Sequence, residues 1–243
     1  MNPQRLPYGY LAAVALLLVA PTLVYPVLLM KIMCFAVFAC AFNLLLGYTG
    51  LLSFGHAAFL GSAAYLTGHA LKVWELPTLA GLVIGTLGAG ALGWVVGTMA
   101  IRRQGIYFAM STLALAQLMF FIFLQSEFTG GEDGLQSVPR GSLFGISLSS
   151  DTTLYYLVLA VSVSAFWLIH RSIHSPFGQI LKAIRENEAR AISLGYDVNK
   201  YELLAFVLSA AVSGLAGALK TLVFTFATLS DAHWHTSGEV VLM

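Results

Sequence analysis

The chain has 243 residues, of which 58% are hydrophobic and 9% are charged. A soluble domain carries about 25% charge, so these polar side chains cannot cover a soluble globule of this size; the mean hydropathy of +0.83 agrees. The composition excludes a soluble enzyme, a disordered tail and a small disulfide-stapled domain, and the net charge of +1 leaves no basic field for nucleic acid.

Gaps between charges mark the spans. No charged residue lies between Lys31 and Lys72, Glu75 and Arg102, Arg103 and Glu127, or Asp151 and Arg171. Each gap holds at least one helix of bilayer length, about 20 residues. The pattern predicts an all-α polytopic membrane protein with about seven spans. The first covers Tyr8–Val24, read as a retained helix, with a cleaved signal as the alternative. The second follows Tyr25-Pro26 and ends near Tyr48, since proline suits a first helical position. Cys34 and Cys40 within it point about 240° apart on a helix and cannot pair with each other. The third, Leu51–Leu71, carries Gly50, Gly55, Gly61 and Gly68 around Ser53 and His56. It reads either as a closely packed helix or as a re-entrant or broken one, which is tolerated only under protein cover. The fourth covers Pro77–Ile101, the fifth Ile106–Gln125, the sixth Thr153–His170 and the seventh Leu203–Thr228.

Lysine and arginine set the orientation. Arg5, Arg102, Arg103, Arg171, Lys182, Arg185, Arg190 and Lys200 fall on one side of a seven-span count, whereas the Glu127–Asp151 loop falls on the other. The N-terminus and the 171–200 segment are therefore expected in the cytoplasm. Lys31 and Lys72 lie near outer helix ends, where long side chains snorkel. Lys220 sits deeper in the seventh span. Snorkelling to the outer end is the preferred reading for it, and a protein interior is the alternative.

The largest soluble feature is SPFGQILKAIRENEARAISLGYDVNK, residues 175–200. Ser175 can cap a helix, Pro176 suits its first turn, and Gly195 is placed to end it in a left-handed cap. Ile180, Leu181, Ile184 and Ala191 recur on one side, and Lys182, Arg185, Glu186, Glu188 and Arg190 cover much of the rest. A helix lying in the lipid interface is usually dominated by Lys and Arg. The mixed charges here fit a groove on a protein partner better.

This segment resembles the cytoplasmic coupling loop of bacterial ABC importer permeases, in particular the LivM-like permeases for branched-chain amino acids. Two more blocks carry the likeness: FNLLLGYTGLLSFGHAAFLGSAAY at 42–65, and GIYFAMSTLALAQ at 105–117 leading into TGGEDGLQSVPR at 129–140. The resemblance implies an ABC importer permease fold in one transmembrane domain, 1–243, with a coupling loop at 171–201. It implies an inner-membrane location, a sister permease, two cytoplasmic ATPase subunits and an extracytoplasmic binding protein. ATP and magnesium would belong to the ATPase chains. Arg185, Glu186, Glu188, Arg190 and Gly195 would serve ATPase coupling, with Glu188 through Gly195 seated in a cleft on an ATPase. Related permeases continue past the segment matching SGEVVLM, so an eighth span is expected to start from Glu239, in a chain shortened at its C-terminus.

The residues support part of this independently. No GxxxxGK[ST] occurs, so a P-loop ATPase must be another chain. Asn43, His56 and Gln117 are the uncharged polar groups best placed to face a pathway, although a hydrogen-bonded structural role is preferred for His56. Gly81 and Gly85 form one small-residue ridge; Ser213 and Gly217, and beside them Gly214, form others. These ridges suit packing inside the bundle, with a seam to the sister subunit as the alternative. The GGEDG run lacks the alternating oxygen ligands of an EF-hand and reads as a tight outer turn. His233 and His235 have no evident third ligand, so no metal is expected, and no catalytic constellation is visible. A urea or short-amide importer has closely similar blocks. A stand-alone secondary transporter would need a mid-membrane ionisable residue and inverted repeats; a membrane scaffold is the remaining alternative.

Overall fold

The computed structural model describes residues 14–22, 24–102, 105–143 and 146–241. Its helices are α1 (Pro26–Thr49), α2 (His56–Lys72), α3 (Thr78–Ala100), α4 (Ile106–Gln125), α5 (Asp151–Ile173), α6 (Pro176–Glu186), α7 (Glu188–Ser193), α8 (Val198–Phe224) and α9 (Trp234–Val241). Five of these, α1, α3, α4, α5 and α8, are long and apolar enough to cross a membrane. Of the expected first span, residues 14–19 are helical and run into a 3-10 turn at Ala20–Thr22. Residues 1–13, including Arg5, lie outside the described residues, as do Arg103 and residues 242–243.

Local chemistry sets the helix ends. Pro26 opens α1, and Gly50, with φ of 78°, closes it while its N–H bonds to Leu46 O. Ser150 caps α5 by accepting from Thr153 N–H. Asp197 does the same for α8 with Lys200 N–H, so this helix starts five residues before the expected Leu203. The 2.8 Å ion pair to Lys200 and that capping bond hold the Asp197 carboxyl below its usual range.

Helix α8 is the central post, packed by α1, α2 and α3. Small residues allow the close approach. A Cβ added at Gly217 would lie 2.9 Å from the Leu60 carbonyl carbon, and one at Gly214 would lie 3.2 Å from Ala63 Cβ. Gly81 lies against Leu71, and Gly85 against Ala63 and Thr67. Ser213 is fully buried. The four glycines thus sit at contacts between helices of this one chain.

The expected third span is broken. After Gly50 the chain runs without helix through residues 51–55, and α2 starts at His56. Leu51, Ser53, Gly55 and His56 are buried. Hydrogen bonds tie His56 through Ser209 to Ala41, two turns before the end of α1. Helix α2 therefore begins inside the bundle, about 12 Å from the end of α1 along that helix axis. Side chains satisfy the freed backbone groups. Phe54 N–H donates to Thr112 Oγ1 at 3.2 Å, Gly55 N–H to Ser53 Oγ at 3.2 Å and Ala57 N–H to Ser237 Oγ at 2.8 Å. Non-helical backbone is tolerated at such depth because protein covers it.

Three further expectations are corrected. The single 176–194 helix is two helices, because Asn187 adopts φ −159°, ψ 95° and accepts from Arg190 N–H to cap the second. The GGEDG run is the tight turn expected, a 3-10 turn at Gly131–Asp133 between Gly130 and Gly134, both at positive φ, and the rest of the acidic loop adds a 3-10 turn at Glu127–Thr129, an antiparallel bridge between Leu135 and Ala227, and a two-stranded hairpin, Ser142–Leu143 with Ile146–Ser147. Lys220 does not snorkel. Its ammonium pairs with Asp231 in the turn after α8, with side chains only 15% and 7% exposed, and lies 5.6 Å from the centre of the Phe35 ring. Lys72 donates to Gln136 O at 2.8 Å on the same acidic end. The final helix, α9, starts at Trp234 rather than at Glu239.

Candidate functional site

At the basic end, α6 and α7 lie beneath the end of α1. Helix α6 is strongly amphipathic. Its Leu181 is buried in one apolar cluster with Leu45, Leu51, Phe59 and Phe108, which joins α6 to the 51–55 segment and the start of α2. Ile184 packs with Ala191 and Val198, joining α6 to α7 and to the start of α8. The Arg185 guanidinium donates to Gly47 O in the last turn of α1. A cation favours that position, where helix carbonyls lack partners and the dipole is negative. The Lys182 ammonium lies 5.3 Å from the centre of the Tyr48 ring. A cavity of about 640 Å³ opens between the helices, lined by Asn43, Gly47, Tyr48, Lys182, Arg185 and Glu186.

The outward surface of this pair is different. Ile192 and Leu194 are 57% and 66% exposed beside the exposed Arg190. Gly195, with φ of 88°, ends α7 and turns the chain toward α8. Its N–H bonds to Ile192 O, and Tyr196 N–H bonds back to Ala191 O. An L side chain at that φ costs about 1–2 kcal/mol.

Deeper in the bundle, His56 is fully buried among Phe42, Phe59 and Phe206, with ring centres 5.2, 5.9 and 6.2 Å away. The Ser209 hydroxyl donates to Ala41 O at 2.5 Å, so it must accept from His56 Nε2–H at 2.8 Å. The imidazole is thereby a bridge from α2 through α8 to α1.

The family described as "Branched-chain amino acid transport system / permease component" matches residues 26–243. The chain belongs to this permease family. The high-affinity branched-chain amino acid transport system permease protein LivM of Salmonella typhimurium is 30% identical over 216 residues, covering 77% of this chain and 50% of that protein. The same-named protein of Escherichia coli matches to the same extent. The autoinducer 2 import system permease protein LsrC of Klebsiella pneumoniae is 30% identical over 135 residues, covering 55% of this chain and 36% of that protein. The chain spans about half the length of the LivM proteins it matches. No solved structure matches it.

Within this permease the five residues assigned to coupling divide into two sets. Arg185 and Glu186 line the cavity at the end of α1, whereas Arg190 lies on α7 and Gly195 just after it; these four are exposed and Glu188 is half-buried. Asn43, His56 and Gln117 do not meet. Asn43 lines the basic-end cavity, His56 is sealed in the core, and Gln117 is half-buried on α4, one turn from Phe120. Among the described residues, no three His, Cys, Asp or Glu side chains group to hold a metal. Sequence reasoning missed Thr112 and Ser237, which hold the start of α2. Neither carried a distinguishing signal, since each is one of two neighbouring hydroxyls, Ser111-Thr112 and Thr236-Ser237.

Proposed function

We propose that the chain is the membrane-spanning permease subunit of an ATP-driven importer of branched-chain amino acids. It would lie in a bacterial inner membrane with its N-terminus and its 171–201 coupling loop in the cytoplasm. Residues 1–243 act as one transmembrane domain, with the segment before α1 and the 51–72 segment that holds α2 completing seven spans. A sister permease, two ATPase subunits carrying ATP and magnesium, and an extracytoplasmic binding protein are its partners. The family match over residues 26–243 carries this reading.

The mechanism is alternating access. Closure of the ATPases moves α6 and α7 through the exposed Ile192–Gly195 surface. Arg185 and Lys182 pass that movement to the end of α1, and Leu181 passes it to the broken span. No step needs chemistry in this chain. Import of another polar solute is the second reading, favoured by the likeness to a permease whose name specifies autoinducer 2.

The test is uptake in proteoliposomes holding the chain with its sister permease, ATPases and binding protein. Leucine uptake is expected to need ATP inside and to stop when the ATPases are omitted. Uptake driven by an ion gradient without ATPases would overturn the assignment in favour of a stand-alone transporter.

A further inference from the structure

The segment after α8 turns back into the bundle. Its 3-10 turn, Leu229–Ala232, presses Ala232 onto Gly61 of α2, where an added Cβ would lie 2.6 Å from Ala232 Cβ. Farther on, Ser237 of α9 accepts from Ala57 N–H. This turn and α9 therefore follow α2 down toward His56, alongside α4. Between them and α4 lies a second cavity, of about 340 Å³, lined by Phe120, Leu229, Ser230, His233, His235 and Glu239, with Thr236 at its edge. Phe120 is five residues from the acidic end of α4, about 8 Å in along the helix axis.

The polar groups of this cavity are partly committed. The Thr236 hydroxyl donates to Ser230 O at 3.1 Å, and the Ser230 and Thr228 hydroxyls share a 2.8 Å bond. His233 Nδ1 accepts from His235 N–H at 3.3 Å, so in the neutral ring the proton sits on Nε2, ready to donate. The Glu239 carboxylate lies 3.6 Å from His235 Nδ1 and is 55% exposed, leaving an oxygen free to accept. Phe120 meets His233 edge-on at 5.2 Å and, with Leu229, gives the cavity an apolar wall. A carboxylate acceptor, an imidazole N–H donor and an apolar wall thus converge in a space within the size range of small-ligand pockets.

We propose that this cavity receives a zwitterionic amino acid with an apolar side chain on its way through the permease. Glu239 takes the ammonium, His233 Nε2–H takes the carboxylate, and Phe120 and Leu229 take the side chain. The inference rests on the reading of the chain as an amino acid importer and names the group that sets its specificity. Glu239 gives an ammonium an ion pair as well as a hydrogen bond, whereas urea or an amide could offer the carboxylate only the hydrogen bond of an uncharged donor.

The test is equilibrium binding of radiolabelled leucine to the full chain, co-purified with its sister permease and ATPases in lipid nanodiscs without the binding protein. Glu239→Gln is expected to weaken leucine binding about tenfold, the loss of one charged hydrogen bond. Glu239→Asp keeps the charge and is expected to stay within about threefold. The comparison ligand is 4-methylpentanoate, which is leucine without its ammonium. It is expected to bind the Gln variant at least as well as the unaltered chain, because the variant removes a like charge, which separates a lost contact from a misfolded cavity. Leucine binding equally to the unaltered chain and to Glu239→Gln overturns the inference while leaving the importer reading intact. Transport of urea or a neutral amide, with no amino acid carried by the unaltered complex, overturns both.

Discussion

Replacing Lys220 with Met is expected to destabilise the folded chain by about 3–5 kcal/mol. The Asp231 carboxylate is almost fully buried, and its second oxygen has no hydrogen-bond partner. Removing the ammonium would strand that charge in an apolar interior, beside Phe35 and close to the buried Tyr65. Asp231 sits in the turn that seats Ala232 on α2, so the damage should reach the whole 229–241 segment. Replacing both partners, Lys220→Met with Asp231→Leu, removes charge and counter-charge together and is expected to recover most of the loss. Thermal melting of the purified variants in detergent would measure both. Equal destabilisation by the single and double variants would mean that the turn needs the pair for its geometry and not for its charge balance.

Arg185→Ala is expected to separate ATP hydrolysis from transport. The guanidinium bridges α6 to the last turn of α1, and a hydrogen bond from a charged donor contributes about 1.5–3 kcal/mol. Its loss leaves Leu181 packed against Leu45, Leu51 and Phe59, so the chain should still fold and assemble. The movement of α6 would then reach α1 weakly. Leucine uptake per ATP hydrolysed is expected to fall about tenfold with ATPase activity retained. Arg185→Lys keeps the charge but loses the planar fork, and an intermediate value is expected. An unchanged ratio in Arg185→Ala would show that the bond to Gly47 only ties the helices together.

Much of the fold was legible because membrane spans leave a strong mark. Charge gaps located four of the five long helices, α8 with its internal Lys220 lying outside them, and Pro26 marked the start of α1, whose end at Thr49 lies one residue from the expected Tyr48. The buried Leu181, Ile184 and Ala191 were visible in the helical spacing of α6 and α7. Asn187 broke that pattern unnoticed, because one polar residue inside an amphipathic run looks the same whether it faces water or caps a new helix. The start of α2 was ambiguous for a similar reason. Ser53, Gly55 and His56 suit both a packed helix and an interrupted one, and the choice depends on hydroxyls from Thr112 and Ser237, remote in sequence. Lys220 was misread because its partner lies in a turn that follows the helix, where no helical spacing links the two. The cavity at Glu239 was hidden because its walls come from α4 and from a segment more than a hundred residues later.

In the proposed mechanism α6 and α7 carry the work of partner ATPases into the spans. The direct measurement is leucine taken up per ATP hydrolysed by the reconstituted complex carrying Glu188→Ala with Gly195→Val. Gly195 holds φ of 88°, where valine is strained, so the exposed end of α7 should be reshaped while the spans stay in place. Normal membrane insertion and continued ATP hydrolysis are expected, with uptake per ATP reduced at least about tenfold. Uptake per ATP equal to that of the unaltered complex would contradict the mechanism.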